Sequence, residues 1–304
     1  MRILLTGSSG QVGHALTTAL RSLPDAELII PERAQMDLSR LDLVRATIRD
    51  IKPQLIINPA AYTAVDKAES EAGLAQIING DAPGVIAEEA KKLGAALIHY
   101  STDYVFDGSK RGSDGGLLAY TERDATGPLN VYGSTKLAGE QAIAASGCNH
   151  LILRTSWVYS TFGKNFLLTM LRLARERDEL KIVNDQWGAP TWAGWIAQAT
   201  AAIVGQLQHA DDQAAWWTKN SGVYHMTTRQ HTSWQGFAQE IMQQALSLKL
   251  LEKTPTVGGI PAADYPTPAR RPINSCLNTD LLAQRFALEI PSWNDALRAC
   301  LIAG

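Results

Sequence analysis

Tyr132 and Lys136 stand four residues apart in the segment Asn130-Val131-Tyr132-Gly133-Ser134-Thr135-Lys136-Leu137-Ala138-Gly139-Glu140. On a helix, residues i and i+4 share a face, so the Lys136 cation can favour the ionised phenol of Tyr132 and lower its pKa toward neutrality. A phenol tuned in this way suits reversible protonation of a carbonyl oxygen. The chain has eight tyrosines, so chance alone can supply such a pair, and its meaning depends on its surroundings. Thr102, in Ser101-Thr102-Asp103-Tyr104-Val105-Phe106, is the candidate partner. At a strand end its hydroxyl can bond the same carbonyl oxygen beside the phenol; the alternative is a threonine that caps a turn.

A second constellation lies at the N-terminus, where Gly7-Ser8-Ser9-Gly10-Gln11-Val12-Gly13 follows a short apolar run and opens a helical pattern. Such a turn lets backbone approach a pyrophosphate, and the helix N-terminus favours its charge. The spacing Gly7-x-x-Gly10-x-x-Gly13 is looser than the tightest dinucleotide fingerprint but mechanically equivalent. After the next apolar run come Glu32 and Arg33. An acidic residue there suits a free ribose 2'-hydroxyl and an arginine suits a 2'-phosphate, so the pair predicts use of NADPH or NADH with a lean to NADPH. Asp37 is placed either to meet an adenine or to cap a helix over Ser39 to Asp50.

These groups need a scaffold that gathers them. Apolar runs at Ile3 to Thr6, Leu28 to Ile30, Leu55 to Asn58, Ala95 to Ser101 and His150 to Thr155 alternate with helical patterns. That rhythm predicts an α/β fold with a parallel sheet and crossover helices, with Gly7, Asn58, Ser101 and Arg154 to Trp157 emerging at one edge. The stretch from Asp107 to Pro128 reads as a mobile lid or a solvated loop. Beyond about residue 160 the alternation weakens, while helical patterns recur at Phe166 to Arg175, Ile196 to Leu207, Phe237 to Leu246 and Trp293 to Ile302. A division follows: residues 1–160 mainly form a nucleotide domain and residues 161–304 mainly a second lobe, with some segments returning to the first.

Composition narrows the partners. At 304 residues with 19% charged residues and a net charge of -2, the chain has no basic stripe for nucleic acid or an anionic membrane. The apolar run before Gly7 is too short for a signal-peptide core, which predicts a cytoplasmic protein. Cys148, Cys276 and Cys300 are scattered without metal-ligand spacing, and the six histidines form no cluster, so no metal is expected. His99 reads as a satisfied core histidine.

Together, Gly7-x-x-Gly10-x-x-Gly13, Asn58-Pro59-Ala60-Ala61-Tyr62-Thr63, Ser101-Thr102-Asp103 and Tyr132-x-x-x-Lys136 resemble the extended short-chain dehydrogenase/reductase superfamily. More narrowly, Thr63 to Glu69, Tyr100 to Phe106, Pro128 to Gly133, Arg154-Thr155-Ser156-Trp157-Val158-Tyr159, Asn184 to Thr191 and Tyr265 to Pro272 resemble the dTDP-4-dehydrorhamnose reductase family. The resemblance implies a Rossmann-type doubly wound sheet with a smaller carboxyl-terminal lobe that binds a dTDP-sugar. It implies reduction of a 4-keto sugar to dTDP-L-rhamnose, with Tyr132 giving a proton to the C4 oxygen, Lys136 holding the nicotinamide ribose and Thr102 assisting. Gln11, Val12, Asp37, Leu38, Ala60, Ala61 and Tyr62 match cofactor-lining positions; Asp103, Tyr104 and Trp157 match positions near the substrate. Trp157 offers an apolar face to a deoxysugar or packs in the core. Arg270 and Arg271 are candidates to neutralise the diphosphate, or to pair with surface carboxylates.

In some members two glutamates help form a metal-assisted dimer contact; this chain has Ala15 and Gly194 there, which favours a monomer or weak homodimer. Tyr104 follows Asp103 where a dehydratase needs an acid-base carboxylate. A sugar-nucleotide 4-epimerase and a non-catalytic cofactor-binding subunit are the competing readings.

Overall fold

The computed structural model describes residues 1–304. Strands β1 (Arg2–Leu5), β2 (Glu27–Ile29), β3 (Leu55–Asn58), β4 (Ala96–Thr102) and β5 (Asn149–Thr155) lie close to the expected runs. Helices α1 (Gln11–Arg21) and α2 (Leu41–Ile51) follow β1 and β2. Between β3 and β4 come α3 (Val65–Ala68), α4 (Ala72–Gln76), a π turn (Ile77–Asp81) and α5 (Ala82–Leu93); α6 (Val131–Ser146) precedes β5. The second half contains β6 (Val158–Tyr159), α7 (Phe166–Glu176), β7 (Glu179–Val183), β8 (Trp187–Gly188), β9 (Thr191–Trp192), α8 (Ala193–Gln208) and α9 (Gln213–Asn220). It ends with β10 (Gly222–His225), β11 (Thr232–Ser233), α10 (Trp234–Ser247), β12 (Thr256–Ile260), α11 (Asp280–Phe286) and α12 (Trp293–Ala303).

The central sheet has the order β10-β5-β4-β3-β1-β2 with every pairing parallel. Successive strand residues face opposite ways, and the cores divide accordingly. Ile3, Leu5, Leu55 and Ile57 pack with Leu16 and Leu20 of α1 and Ile196 and Val204 of α8. Leu4 and Ile56, with Leu97 and Ile152, pack with Val44, Ile48, Ile86 and Ile143 on the other side. The chain crosses from β2 over β1 to β3, so the crevice between β1 and β3 is a topological switch point, the usual ligand position in such sheets.

A third core joins α7, α10 and α12 through Leu167, Met170, Phe237, Ile241 and Leu297. The parallel pair β7 and β12 lies beside it. The second half is divided in space: β10 joins the sheet and α8 packs on its face, while α7, α10 and α12 make the separate helical core.

The Asp107 to Pro128 stretch is strapped down. Tyr120 is buried and stacks on Phe106 with ring centroids 4.2 Å apart. Its N–H donates to the Cys276 carbonyl at 2.8 Å, and Asn278 N–H returns a bond to the Tyr120 carbonyl at 2.7 Å. Asn274 caps the carbonyls of Lys110 and Leu118. No helix is long and apolar enough to cross a membrane.

Candidate active site

The helix carrying Tyr132 and Lys136 begins where the sequence demands. Asn130, in extended conformation, accepts the Gly133 N–H at 2.7 Å and caps α6. The Asn130 amide also donates to the Arg270 carbonyl at 2.8 Å, fastening the helix start to the carboxyl-terminal strap. Gly133 lets α6 approach the end of β4: a Cβ there would lie 2.2 Å from the Tyr104 carbonyl oxygen. That approach puts the Tyr132 ring edge-on to Tyr104, with centroids 5.7 Å apart.

Thr102 ends β4 and is buried. Its hydroxyl accepts the Tyr104 N–H at 3.2 Å and donates to Asp103 Oδ1 at 2.9 Å. Thr102 therefore caps the following turn, and its hydroxyl also faces the Tyr132 phenol. Burial pushes Tyr132 up to about 12; the Thr102 hydroxyl pulls the other way and the Asp103 charge adds to the rise. The sequence expectation that Lys136 lowers this phenol toward neutrality is therefore corrected. Lys136 Nζ is buried against His99 Nε2 at 3.0 Å and donates to the Tyr100 carbonyl at 2.6 Å. Desolvation exceeds what four-residue spacing alone conveys, and it pulls Lys136 itself down to about 8 against the charge of Glu140.

Asp103 and Tyr104 complete the wall. Burial raises Asp103 to about 6, opposed by the Ser275 and Thr102 hydroxyls, and its Oδ2 has no hydrogen-bond partner. Burial and the Asp103 charge raise the Tyr104 phenol, while Arg271 opposes them. Arg271 makes a two-pronged bond to Asp66 at 3.0 and 2.8 Å, the carboxylate pairing that the sequence left open. Arg270 is exposed. Trp157 stands at a left-handed φ of 46° and stacks on Trp234 with centroids 3.6 Å apart, a strained backbone of the kind that persists where surroundings fix it.

At the other end of the crevice, Gly7 has φ 60° and α1 starts without a side-chain cap. A Cβ on Gly13 would lie 2.0 Å from the Gly7 carbonyl oxygen. An uncapped helix start over this tight glycine cradle has the shape and polarity for a dinucleotide pyrophosphate. Val12 and Ala60 are partly buried, and Ala61 lies between Ala60 and Tyr62 in a loop pinned by Asn79. The Asn79 side chain accepts the Tyr62 N–H at 2.8 Å and donates to the Tyr62 carbonyl at 3.1 Å.

Some expected nucleotide contacts are already engaged within the chain. Gln11 Oε1 accepts from Ser160 and Asn165 at 3.1 and 2.9 Å, making its side chain a strut to the second half. Asp37 accepts the Ser39 N–H and hydroxyl at 2.9 and 2.8 Å. The expected helix cap is thus corrected to a turn cap, because α2 starts only at Leu41. Exposed Arg33 reaches Asp37 at 3.5 Å, and Leu38 is buried in the sheet core.

Sequence reasoning missed Asn79, Ser275 and Trp234, and it set His99 aside. Asn79 gave no local signal because its π turn has no distinctive composition. His99 precedes Ser101-Thr102 by one strand period, and that proximity was the available clue.

A family model described as the RmlD substrate binding domain matches residues 1–303. A Burkholderia thailandensis dTDP-4-dehydrorhamnose reductase is 45% identical over 307 residues, covering 99% of this chain and 98% of the relative. The Escherichia coli K12 reductase is 44% identical over 303 residues, covering 99% and 97%. A crystal structure of the Bacillus anthracis dTDP-4-dehydrorhamnose reductase in complex with NADP superposes with a TM-score of 0.85 at 31% identity, covering 100% of this chain and 99% of that one. The matches run along the whole length of the chain, and the chain belongs to the dTDP-4-dehydrorhamnose reductase family.

Proposed function

We propose that the chain reduces the C4 ketone of dTDP-4-dehydro-L-rhamnose to give dTDP-L-rhamnose, using NADPH or NADH with a preference for NADPH. The observation that carries this reading is the meeting of Tyr132, Thr102 and Lys136 beside the end of β4, in a chain of this reductase family. When bound, the reduced nicotinamide supplies a hydride to C4. Tyr132, whose phenol holds its proton firmly up to about 12, delivers that proton to the C4 oxygen. Thr102 orients the phenol and the carbonyl oxygen, and Lys136 holds the nicotinamide ribose. Proton and hydride together convert the ketone to an alcohol.

We assign Gly7, Gly10, Gln11, Val12, Gly13, Arg33, Asp37, Leu38, Ala60, Ala61 and Tyr62 to the cofactor side. Asp103, Tyr104, Trp157, Arg270 and Arg271 belong to the sugar-nucleotide side. In this reading residues 1–160 supply most of the nucleotide domain and residues 161–304 most of the sugar wall, with α8 and β10 returning to the sheet. With Ala15 and Gly194 carrying no carboxylate, we infer a monomer or weak homodimer.

The test is to supply dTDP-4-dehydro-L-rhamnose with NADPH and follow loss of reduced-nicotinamide absorbance. Turnover that falls about 10²–10⁴-fold in Tyr132→Phe supports the assignment; full activity in that variant overturns it.

A further inference from the structure

The proton transfer described above does not use the imidazole of His99, although that ring touches Lys136. His99 is 0% exposed. Its Nε2 lies 3.0 Å from Lys136 Nζ and its Nδ1 lies 3.1 Å from Asn58 Nδ2. Asn58 Oδ1 accepts the Thr6 hydroxyl at 2.6 Å. Thr6 follows β1, Asn58 ends β3, His99 lies on β4 and Lys136 on α6. Their buried side chains make one unbroken hydrogen-bonded line across the sheet edge.

The line has a direction. Burial first, and then the Lys136 charge, hold His99 well below its usual pKa, so the ring is neutral with one N–H and one lone pair. With Thr6 donating to Asn58 Oδ1, the Asn58 amide nitrogen donates to His99 Nδ1. The ring proton must then sit on Nε2 and point at Lys136. An ammonium has no lone pair to receive it; the neutral amine does, and still donates to the Tyr100 carbonyl. If the Asn58 amide turns over, His99 Nδ1 donates to Asn58 Oδ1 and the Nε2 lone pair accepts from the ammonium. In balance, the ammonium form has three protons on Nζ and one on Nδ1; the amine form has two on Nζ and one on Nε2, with one proton released to the cleft.

Other charges near α6 are engaged elsewhere. Glu140 favours the ammonium but is bound to Arg154 of β5. Asp66 of α3 holds Arg271, and Glu89 of α5 holds Arg45, Arg49 and Lys92. The Tyr100 phenol bonds Thr200, leaving only its carbonyl for Lys136. Tyr132 on α6, with Asp103 and Tyr104 just after β4, are the remaining titratable groups of the site.

We propose that His99 is a positioning residue whose tautomer is locked to the charge of Lys136, the Thr6–Asn58–His99 line reversing direction as Lys136 gains or loses its proton. Lys136 thereby changes charge in a buried place with the Asn58, His99 and Lys136 donors facing acceptors in both directions, while the Thr6 hydroxyl keeps Asn58 Oδ1 as its acceptor in the amine direction alone. The importance of this coupling for turnover rests on the reduction proposed above, but its presence is read without cofactor or substrate.

The experiment labels the histidines with nitrogen-15 and records the free chain by NMR between about pH 6 and pH 10, the span that brackets lysine and histidine titration. The expected result is an exchange of protonated and unprotonated nitrogens on His99, with a midpoint near the Lys136 value of about 8, and its loss in Lys136→Met. One fixed tautomer across the range overturns the proposal. A second arm measures the basic limb of the kcat/KM profile. Thr6→Val removes the hydroxyl that favours the amine direction and moves that limb up by about one pH unit, whereas His99→Phe removes the ammonium's acceptor and moves it down by about as much. Unmoved limbs in folded Thr6→Val also overturn it, since a purely structural role would lower activity without moving the limb. Tautomer exchange without reductase activity defeats the proposed function alone; reductase activity with one fixed tautomer defeats this inference alone.

Discussion

Two buried cations meet helix α6 one turn apart and are held by opposite means. Arg154, from β5, is gripped by Glu140 through Nε at 2.9 Å and Nη2 at 2.6 Å, both side chains being 5% exposed. Its guanidinium also lies over the Phe106 ring, 5.1 Å from the centroid. Lys136 has only neutral direct partners, an imidazole and a carbonyl. A carboxylate fork fixes a charge permanently, because planar guanidinium and carboxylate geometries match and neither group gives up its state readily. Neutral partners leave the lysine free to change charge and exchange contacts. The difference separates a cation fixed into the architecture from one whose partners let its charge change.

The sharpest way to break the comparison is to remove the carboxylate. Glu140→Ala strands a buried guanidinium whose Nη1 already has no partner, and the expected loss is about 4 kcal/mol of unfolding free energy. Urea unfolding of parent and variant measures it; a loss under about 1 kcal/mol would show the pair to be expendable. Lys136→Met makes the complementary cut. The expected fall in kcat/KM is about 10²–10³-fold, equivalent to about 3–4 kcal/mol at the transition state, while Tm at pH 7 stays equal to or above the parent's. The sign follows from desolvation. Lys136 is lowered from 10.5 to about 8, so below about pH 8 the folded chain bears the cost of its charge and the methionine variant is relieved of it. This relief fades as pH rises through the unfolded value, where the amine is neutral in both states. A Tm well below the parent's at pH 7 would place Lys136 in the same structural class as Arg154.

Sequence made one end of the crevice far more legible than the other. The Gly7 to Gly13 cradle is local: strand, turn and helix are contiguous, and the required backbone shape writes itself into residue type. Tyr132 and Lys136 were equally visible because helical spacing pairs them. Their mutual effect was misread because it depends on burial, which β3, β4 and the strap create from distant parts of the chain. The same holds for Arg271, whose partner Asp66 is 205 residues away. Segment 107–128 reads as solvated because it is rich in glycine and charge, yet Tyr120 anchors it through a stack on Phe106 and backbone bonds to the Cys276–Asn278 segment. Strand β10 has only four residues and its place at the sheet edge is set by β5, so no local pattern announced it. The helical patterns of α7, α10 and α12 were clear; which core they join was not, since amphipathicity names a buried face without naming what covers it.

The contrast extends to carboxylates, and there it gives the smallest and most pH-dependent effect. Glu140 faces an arginine, whereas Asp103 has only hydroxyl and backbone donors and one oxygen without a partner. Asp103 is raised from 3.8 to about 6 in the folded chain. Its folded pKa exceeds its unfolded value, so the cost of burying its charge is absent below about pH 4, grows as pH rises between the two values, and is complete above about pH 6. Asp103→Asn removes that cost. The expected gain is about 1–2 kcal/mol at pH 8, shrinking to nothing at about pH 4, with a loss of turnover if Asp103 serves the sugar site. Thermal melts at both pH values check it. An equal gain at pH 4 and pH 8 would trace the effect to packing rather than charge, and a loss at pH 8 would mean that the donors around Asp103 satisfy its anion.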